Sequence, residues 1–374
     1  MKKAILLYAV LILCKVSNAQ NISKIKFGDV KEESFKINSP VVTEDDAAVV
    51  LSDVGSTHFE GNNRGDFTLI YKRHKRILIK KKTAFDLATV SVRVYKGASF
   101  SNEEQFEDFQ AATYNLENGQ VVQSKIDKSA LFTEKYTREI NYKKFALTNL
   151  KEGSIIEYTY TIKSPYYRYL RSWAFQDKYP VLWSEYQVTI PPMFNYVVLR
   201  KGIIQKYTVD SSRTTFQRYS ILIPSKTAYE SNDIVNISGD AKWGLWALKD
   251  IPAFKTEVYT SNPGNYFSKI DFQLHSIKYS DSYTRNIMKP WGEVTKDLLK
   301  DEEFGLQLSG ESSWVREEVK KSSAGAGGLE AAKKIYTYVR DNYSCNDHDA
   351  LYTSSTLKKV VQNKTGNVQI LTCC

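Results

Sequence analysis

The chain has 374 residues, of which 42% are hydrophobic, with a formal net charge of +10 and four cysteines. The length predicts about two domains, and the three cysteines after position 19 (Cys345, Cys373 and Cys374) are too few and odd in number for a disulfide framework. Acidic residues are spread among the basic ones and no nucleic-acid-binding motif is present, so nucleic acid is excluded as the expected partner.

Residues 1–19 have the pattern of a secretory signal peptide. Lys2 and Lys3 precede an apolar run at positions 4–14, and positions 17–19 (Ser-Asn-Ala) form a small-x-small cleavage site. The run is too short to cross a bilayer, so the sequence predicts an exported protein, periplasmic or secreted, that is not an integral membrane protein. A lipoprotein signal with Cys14 lipidated is the alternative, but Leu13 stands where a small residue is expected. Residues 20–44 then form an N-terminal extension.

Residues 45–235 are predicted to form a β-rich domain. Positions 89–95 and 155–162 alternate with period two, and Asn118-Gly119 between two such runs predicts a hairpin. Many short strands separated by turns indicate an antiparallel β-sandwich-like fold. The 25 tyrosines fit half-buried pleated surfaces, and a glycan-binding platform is the alternative use of these aromatics.

The densest basic stretch is residues 72–76, with Lys80, Lys81 and Lys82 shortly after it. It brackets the apolar residues 77–79 in a region of strand character. We interpret it as a solvated strand face, with an anionic partner such as a glycan or a membrane surface as the alternative.

Residues 236–374 change to a helical pattern after a linker. Pro290 is expected to open a helix, Trp314, Val315 and Val319 mark a second one, and apolar residues three and four apart over 329–343 predict a third. A short helix over 357–361 precedes Gly366-Asn367-Val368. Between them, residues 345–348 (Cys-Asn-Asp-His) are predicted to be a polar loop, because two ligands do not make a zinc site. No metal and no cofactor are predicted.

An ordered series of strings along the chain resembles a family of exported bacterial proteins. In that family the β-rich domain of unknown function 3857 precedes a transglutaminase-like domain. The strings are residues 113–119 (TYNLENG), 150–158 (LKEGSIIEY), 173–176 (WAFQ), 180–186 (PVLWSEY) and 251–254 (IPAF) with Glu257, followed by Ile335, Tyr336, Val339 and Arg340. The resemblance implies a mainly β N-terminal domain (45–235) followed by an α-helical fragment of an α+β transglutaminase-like domain (236–374).

The resemblance also implies a chemistry, and position 368 argues against it. Active transglutaminase-like hydrolases place a cysteine nucleophile after a Gly-x turn at a helix N-terminus, paired with a histidine and an aspartate that follow it in the sequence. Here Gly366 and Asn367 precede Val368, which has no nucleophilic atom, and neither Cys373 nor Cys374 follows a Gly-x turn. The expectation is therefore an exported non-catalytic module that binds a protein or glycan of the cell envelope, with a truncated, inactive transglutaminase-like region.

The alternative expectation is the N-terminal part of a frameshifted transglutaminase-like cysteine hydrolase acting on peptide or isopeptide bonds. Restoring one base near codon 368 forces Leu-Leu from Cys373 and Cys374 and gives Cys, Ser, Arg or Gly at position 368. In the present chain, the apolar face of the helix over 329–343 would lack its usual cover. We therefore expect the segment after Gly328 to be loosely held.

Overall fold

The computed structural model describes residues 25–97, 102–136, 139–204, 206–225, 231–258, 263–280, 282–306, 313–348, 350, 352–353 and 355–373. The signal peptide predicted at 1–19 lies outside these residues, and so does Cys374. The chain divides into two compact units, Met1–Ile287 and Met288–Cys374. Among the described residues, no helix has both the length and the apolar character needed to cross a membrane.

The first unit is built from β-strands joined by short turns. Its strands are β1 (Ala48–Gly61), β2 (Phe67–Ile79), β3 (Thr89–Tyr95), β4 (Gln105–Glu117), β5 (Gln120–Lys125), β6 (Phe132–Lys135), β7 (Ile140–Ala146), β8 (Ile155–Ser164), β9 (Trp173–Ala174), β10 (Val181–Ile190), β11 (Phe194–Lys201), β12 (Val209–Ile223), β13 (Asp233–Ile251), β14 (Lys269–Lys278) and β15 (Thr284–Asn286). Short 3₁₀ helices occupy Glu32–Phe35, Lys82–Ala88, Lys128–Ala130 and Pro263–Asn265.

These strands form three sheets, which confirms the predicted mainly β architecture. The largest has eight strands in the order β12-β13-β10-β1-β2-β8-β4-β5. The second has the order β11-β14-β15 with β9 beside β14, and the third has the order β3-β7-β6. Within the described residues of this unit, all strand pairs are antiparallel except β1 with β10, which run parallel with Val50 opposite Val181. A parallel pair needs a long connection, and here the connection contains β2 to β9.

Both faces of the eight-stranded sheet are covered. Ile155 and Ile156 are neighbours on β8 and both are fully buried, but they belong to different apolar clusters because successive side chains on a strand point to opposite faces. The larger cluster collects inward-facing residues from all three sheets. The smaller cluster lies on the other face, which we call the outer face, and its members are Val30, Leu78, Ala112, Tyr114 and Ile155.

The hairpin predicted at Asn118-Gly119 is confirmed, with β4 and β5 joined by these two residues at φ 51° and 78°. Both values lie in the left-handed region that a tight hairpin turn requires. The β-rich unit itself extends beyond the predicted limit at residue 235. Strand β13 crosses that position and pairs with β10 through Ile251, and β14 adds a partner for β11, so the linker expected after 235 holds strands that complete two sheets.

In its described residues, the second unit contains helices and one small sheet. Its elements are α1 (Trp291–Lys300), α2 (Ser313–Ser322), α3 (Gly328–Asn342), β16 (Ser344–Asp347), α4 (Leu357–Asn363), β17 (Thr365–Asn367) and α5 (Val368–Cys373). The four helices predicted from periodicity are confirmed. The prediction of a loop at 345–348 is wrong for residues 345–347. These residues belong to β16, which pairs in parallel with β17 and places Cys345 opposite Gly366. A pairing of only three residues with a later segment gives no signal in the local sequence.

Candidate functional site

Val368, the position that the resemblance assigns to the nucleophile, is the first residue of helix α5. Asn367 before it is 5% exposed and caps the helix, since its Oδ1 accepts a hydrogen bond from the Ile370 amide at 3.1 Å. The Nδ2 of Asn367 donates to the backbone oxygen of Tyr352 at 2.8 Å, which ties the turn to the preceding loop. The local geometry thus presents the side chain of residue 368 at a helix start.

Gly366 is required by packing. A Cβ atom at this position would lie 2.8 Å from Cγ2 of Ile370 and 3.0 Å from Cγ1 of Val360, and both of those side chains are 1% exposed. The glycine therefore lets strand β17 approach the core of the second unit closely enough to start α5 immediately after it.

Val368 opens onto a groove of about 680 Å³ between α3 and α5. The groove is mainly apolar, and its lining includes Ile335, Val339 and Leu371. Val368 is 38% exposed, so its side chain is accessible from the groove. A valine in an apolar groove supplies neither a nucleophile nor a proton acceptor, so this surface is suited to binding an apolar group.

The structure brings Cys345 and His348 to the same groove as Val368. The Cys345 thiol is free and lies 3.4 Å from the backbone oxygen of Asp347, to which it donates. His348 is exposed. Within the described part of the chain, no three side chains of the metal-binding types His, Cys, Asp and Glu converge on one point.

Lys364 has a role that no sequence pattern predicts. It closes helix α4 in the left-handed conformation, and its Nζ donates to the hydroxyls of Tyr338 and Tyr343 at 2.8 and 3.0 Å. Burial lowers the pKa of Lys364, but the hydrogen bonds to the two phenols outweigh this effect and the pKa is raised. The lysine joins the end of α4 to α3 and so holds the helix that lines the groove.

The basic stretch on β2 is not the solvated face that the sequence suggested. Arg73 donates through Nε and Nη2 to the two carboxylate oxygens of Asp53 at 2.9 and 2.5 Å. Lys75 is 7% exposed and lies 2.8 Å from Asp177 and 3.4 Å from Asp53. Burial lowers the pKa of Lys75, but the two aspartates more than offset this and the pKa is raised.

The alternate residues of β2 point to the outer face and surround Glu157, which is fully buried. Its Oε1 accepts from His74 Nε2 at 2.7 Å and from Arg76 Nε and Nη2 at 3.1 and 2.6 Å. Its Oε2 accepts from the Tyr114 hydroxyl at 2.7 Å and the Gly28 amide at 3.0 Å. Burial raises the pKa of Glu157, but the hydrogen bonds from His74, Tyr114 and Gly28 and the charge of Arg76 outweigh it and lower the pKa to about 2.

The fold is similar over most of the chain to that of a solved structure. A proposed protease from Parabacteroides distasonis matches 87% of this chain with a TM-score of 0.54 at 15% identity. This chain spans 58% of that protein's length. At this identity the likeness is one of fold.

Two further solved structures match with much lower structural agreement. A proposed nutrient-binding protein from Legionella pneumophila has a TM-score of 0.23 at 8% identity, with 83% of this chain and 84% of that chain covered. The M1 zinc metallopeptidase from Deinococcus radiodurans has a TM-score of 0.20 at 9% identity, with 70% and 54% covered. No protein-family model matches the sequence, and no curated protein matches it.

Proposed function

We propose that the protein is an exported, non-catalytic binding module. In this proposal the β-rich unit, of the domain of unknown function 3857 type, binds a protein or glycan of the cell envelope, and the helical unit is an inactive transglutaminase-like region. The observation that carries the proposal is Val368 at the first position of α5, directly after the capping residue Asn367.

The side chain at position 368 is the main argument for a non-catalytic function, because a transglutaminase-like reaction depends on its chemistry. Attack on an amide carbonyl by a transglutaminase-like site requires a thiolate, which forms when a helix start and a paired histidine lower the pKa of a cysteine. Valine has no proton to give up and no lone pair to share. The groove that Val368 faces is lined by aliphatic side chains such as Ile335 and Leu371, which favour contact with an apolar group over charge separation.

The test is an activity assay on the purified, reduced chain. Fluorogenic peptide amides, casein and a γ-glutamyl donor with an amine acceptor serve as substrates, and a commercial transglutaminase is the positive control. We expect no turnover above buffer. Cys345, the thiol in the groove, is the matched check: turnover that disappears in Cys345→Ser would contradict the proposal and assign the reaction to that thiol.

The second candidate function is the N-terminal part of a transglutaminase-like cysteine hydrolase that acts on peptide or isopeptide bonds. The observation that favours it is the fold likeness to the proposed protease, of which this chain spans 58%. The test is the DNA sequence after codon 374. An open frame encoding a histidine and an aspartate in strand-like contexts supports this candidate, and unrelated sequence there contradicts it.

A further inference from the structure

Residues 25–44, which we call the strap, lie across the outer face of the eight-stranded sheet. Val30 of the strap is 8% exposed and joins the cluster formed by Leu78, Tyr114 and Ile155. Phe27, Phe35 and Ile37 pack partly buried against the same cluster. The strap thus covers apolar side chains that a bare sheet would expose to water.

Polar contacts hold the strap in both halves. In the second half Ser39 Oγ donates to Asp250 Oδ1 at 2.8 Å and Lys80 Nζ donates to the backbone oxygen of Thr43, and two further contacts hold the first half. The Gly28 amide donates to Glu157 Oε2 at 3.0 Å, and Arg76 Nη2 donates to the backbone oxygen of Lys26 at 3.3 Å. Both are contacts to the backbone of the strap, so they do not depend on its side chains. Gly28 has φ 89°, a conformation that glycine adopts readily.

The residues of the sheet satisfy the carboxylate of Glu157 with hydrogen bonds even without the strap. When the Gly28 amide is removed, Glu157 keeps its hydrogen bonds from His74, Arg76 and Tyr114, all of which come from the sheet. A buried carboxylate with these partners stays compensated, so the outer face holds its shape when the strap leaves. It is a preorganised surface with one open acceptor position for a backbone amide.

The strap lacks the backbone ladder that joins the strands beneath it to one another. Its residues pair with no strand in the described structure, and apart from Glu32–Phe35 it has no regular secondary structure. A gap of about 630 Å³ remains between its second half, at Phe35 and Ile37, and the sheet residues Leu78 and Leu116. The strap therefore fills the face incompletely and leaves room for larger side chains.

We propose that the outer face is a peptide-binding surface and that the strap occupies it in cis as an exchangeable pseudo-ligand. The partner is an extended peptide that repeats the seated pattern. It carries a glycine or another flexible residue whose amide reaches Glu157, an aliphatic residue two positions later in the place of Val30, and apolar residues that fill the gap. This proposal rests on the proposed binding function, since it names the surface and the partner class.

The test uses the full chain and a fluorescein-labelled peptide of residues 25–44, with binding followed by fluorescence anisotropy. In the wild type the tethered strap competes at high effective concentration, so the peptide binds weakly. Val30→Asp in the chain puts a charge at the buried position of the strap and leaves the sheet unchanged. We expect this variant to bind the wild-type peptide about tenfold more tightly or better, and a Val30→Asp peptide to bind to neither chain.

The matched control is Val258→Asp, because Val258 is 93% exposed and the substitution should leave peptide affinity at the wild-type level. Gly28→Pro, which removes the amide donor, is the second strap variant. A folded Val30→Asp or Gly28→Pro chain that binds no better than the wild type would overturn the proposal. A concentration-dependent dimer of the wild-type chain would overturn it as well, because the occupant would then be the strap of a second copy.

A measurement on the wild type keeps the proposal testable when the variants do not fold. Amides of residues 26–37 should exchange with deuterium faster than those of β2 and β8 beneath them, because the strap opens while the sheet stays intact. Equal protection of the strap and the two strands would show that the segment does not open separately. Peptidase activity in the purified chain would contradict the non-catalytic function and leave this result unaffected, so the two failures are distinguishable.

Discussion

Gly55 lies so close to Trp173 that a Cβ atom on the glycine would overlap Cζ3 of the indole and lie 2.7 Å from its Cη2. Trp173 is 2% exposed, stacks on Tyr186 with ring centroids 4.9 Å apart and planes 3° apart, and donates through Nε1 to Ser184 Oγ at 3.0 Å. The indole is thus fixed on both its face and its edge. A glycine in the middle of β1 is explained by this contact, since any side chain there would displace the ring.

Gly55→Ala is therefore expected to lower the free energy of unfolding by about 1–3 kcal/mol, the usual cost of overpacking a core. Urea denaturation followed by tryptophan fluorescence measures the change. Because the clash is with one ring, Gly55→Ala combined with Trp173→Leu should cost less than the two single changes added together. Strict additivity would show that the glycine is needed for its backbone conformation and not for the indole.

Glu157 should make the free energy of unfolding depend on pH in the acidic range. Its pKa is about 2 in the folded chain, below the ordinary value of 4.5. A group whose folded pKa is lowered contributes stability above its unfolded pKa, and this contribution is lost as the pH falls through the folded value. Stability should therefore decline between about pH 4.5 and pH 2, by on the order of 3 kcal/mol from this group.

The measurement is the urea midpoint at pH 7, 5, 4 and 3 for the wild type and for Glu157→Gln. The variant should be less stable at pH 7 by about 2–4 kcal/mol, because it leaves Arg76 buried without its counter-charge. The difference between the two proteins should shrink as the pH falls. A difference that stays constant down to pH 3 would mean that Glu157 is not the group that titrates.

Asp53 and Asp210 offer a matched pair of ion-pair deletions. Asp53→Asn leaves Arg73 and Lys75 without a full counter-charge inside the sheet packing, so a loss of about 3–5 kcal/mol is expected. Asp210 forms a bidentate pair with Arg200, but the two side chains are 40% and 42% exposed. Asp210→Asn should change stability by less than about 1 kcal/mol. If thermal melts show an equal loss of stability in the two variants, burial does not determine how much these ion pairs contribute to stability.

The same basic residues show where sequence reasoning reached its limit. The pattern of β2 identifies a strand, but it does not identify partners such as Asp177 for Lys75 or Glu157 for Arg76, which lie far along the chain. A solvated face and a buried ion-pair face have the same local sequence. The partners become apparent only when the order of the strands in the sheet is known.

Helices and tight turns were predictable because their signals are local. Asn118-Gly119 specifies its turn through the two left-handed conformations, and α3 follows from apolar residues three and four apart. Two parallel pairings, of β16 with β17 and of β1 with β10, depend on long-range contacts. No local sequence pattern predicts them. In the groove, the start of a helix at residue 368 was implied by the family resemblance, whereas the role of Lys364 was not.

Substitutions at Gly366 and Gly292 test how much the close approach of β17 to its neighbours contributes to the stability of the second unit. Gly366→Ala would press a methyl group against Ile370 and Val360, so we expect it to destabilise this unit by about 1–3 kcal/mol. A Cβ atom on Gly292 in α1 would have no described neighbour within 4 Å, so Gly292→Ala should be neutral or stabilise by up to about 1 kcal/mol. Hydrogen exchange of α3 and α4 amides separates the two, and a similar effect of both changes would rule out the packing explanation.

Val368→Cys tests whether a thiol at this position is enough to give activity. Residue 368 starts a helix of only six residues, and the groove beside it is lined by Ile335 and Leu371, whose apolar surroundings raise the pKa of a thiol and oppose the lowering by the helix start. In a Cys345→Ser background, the new cysteine should react with iodoacetamide at pH 7 no faster than one introduced by Val319→Cys on α2, where the valine is 42% exposed compared with 38% at Val368. No amide substrate should be turned over. Faster alkylation at position 368 than at 319, or measurable turnover, would show that the fold around α5 activates a nucleophile on its own.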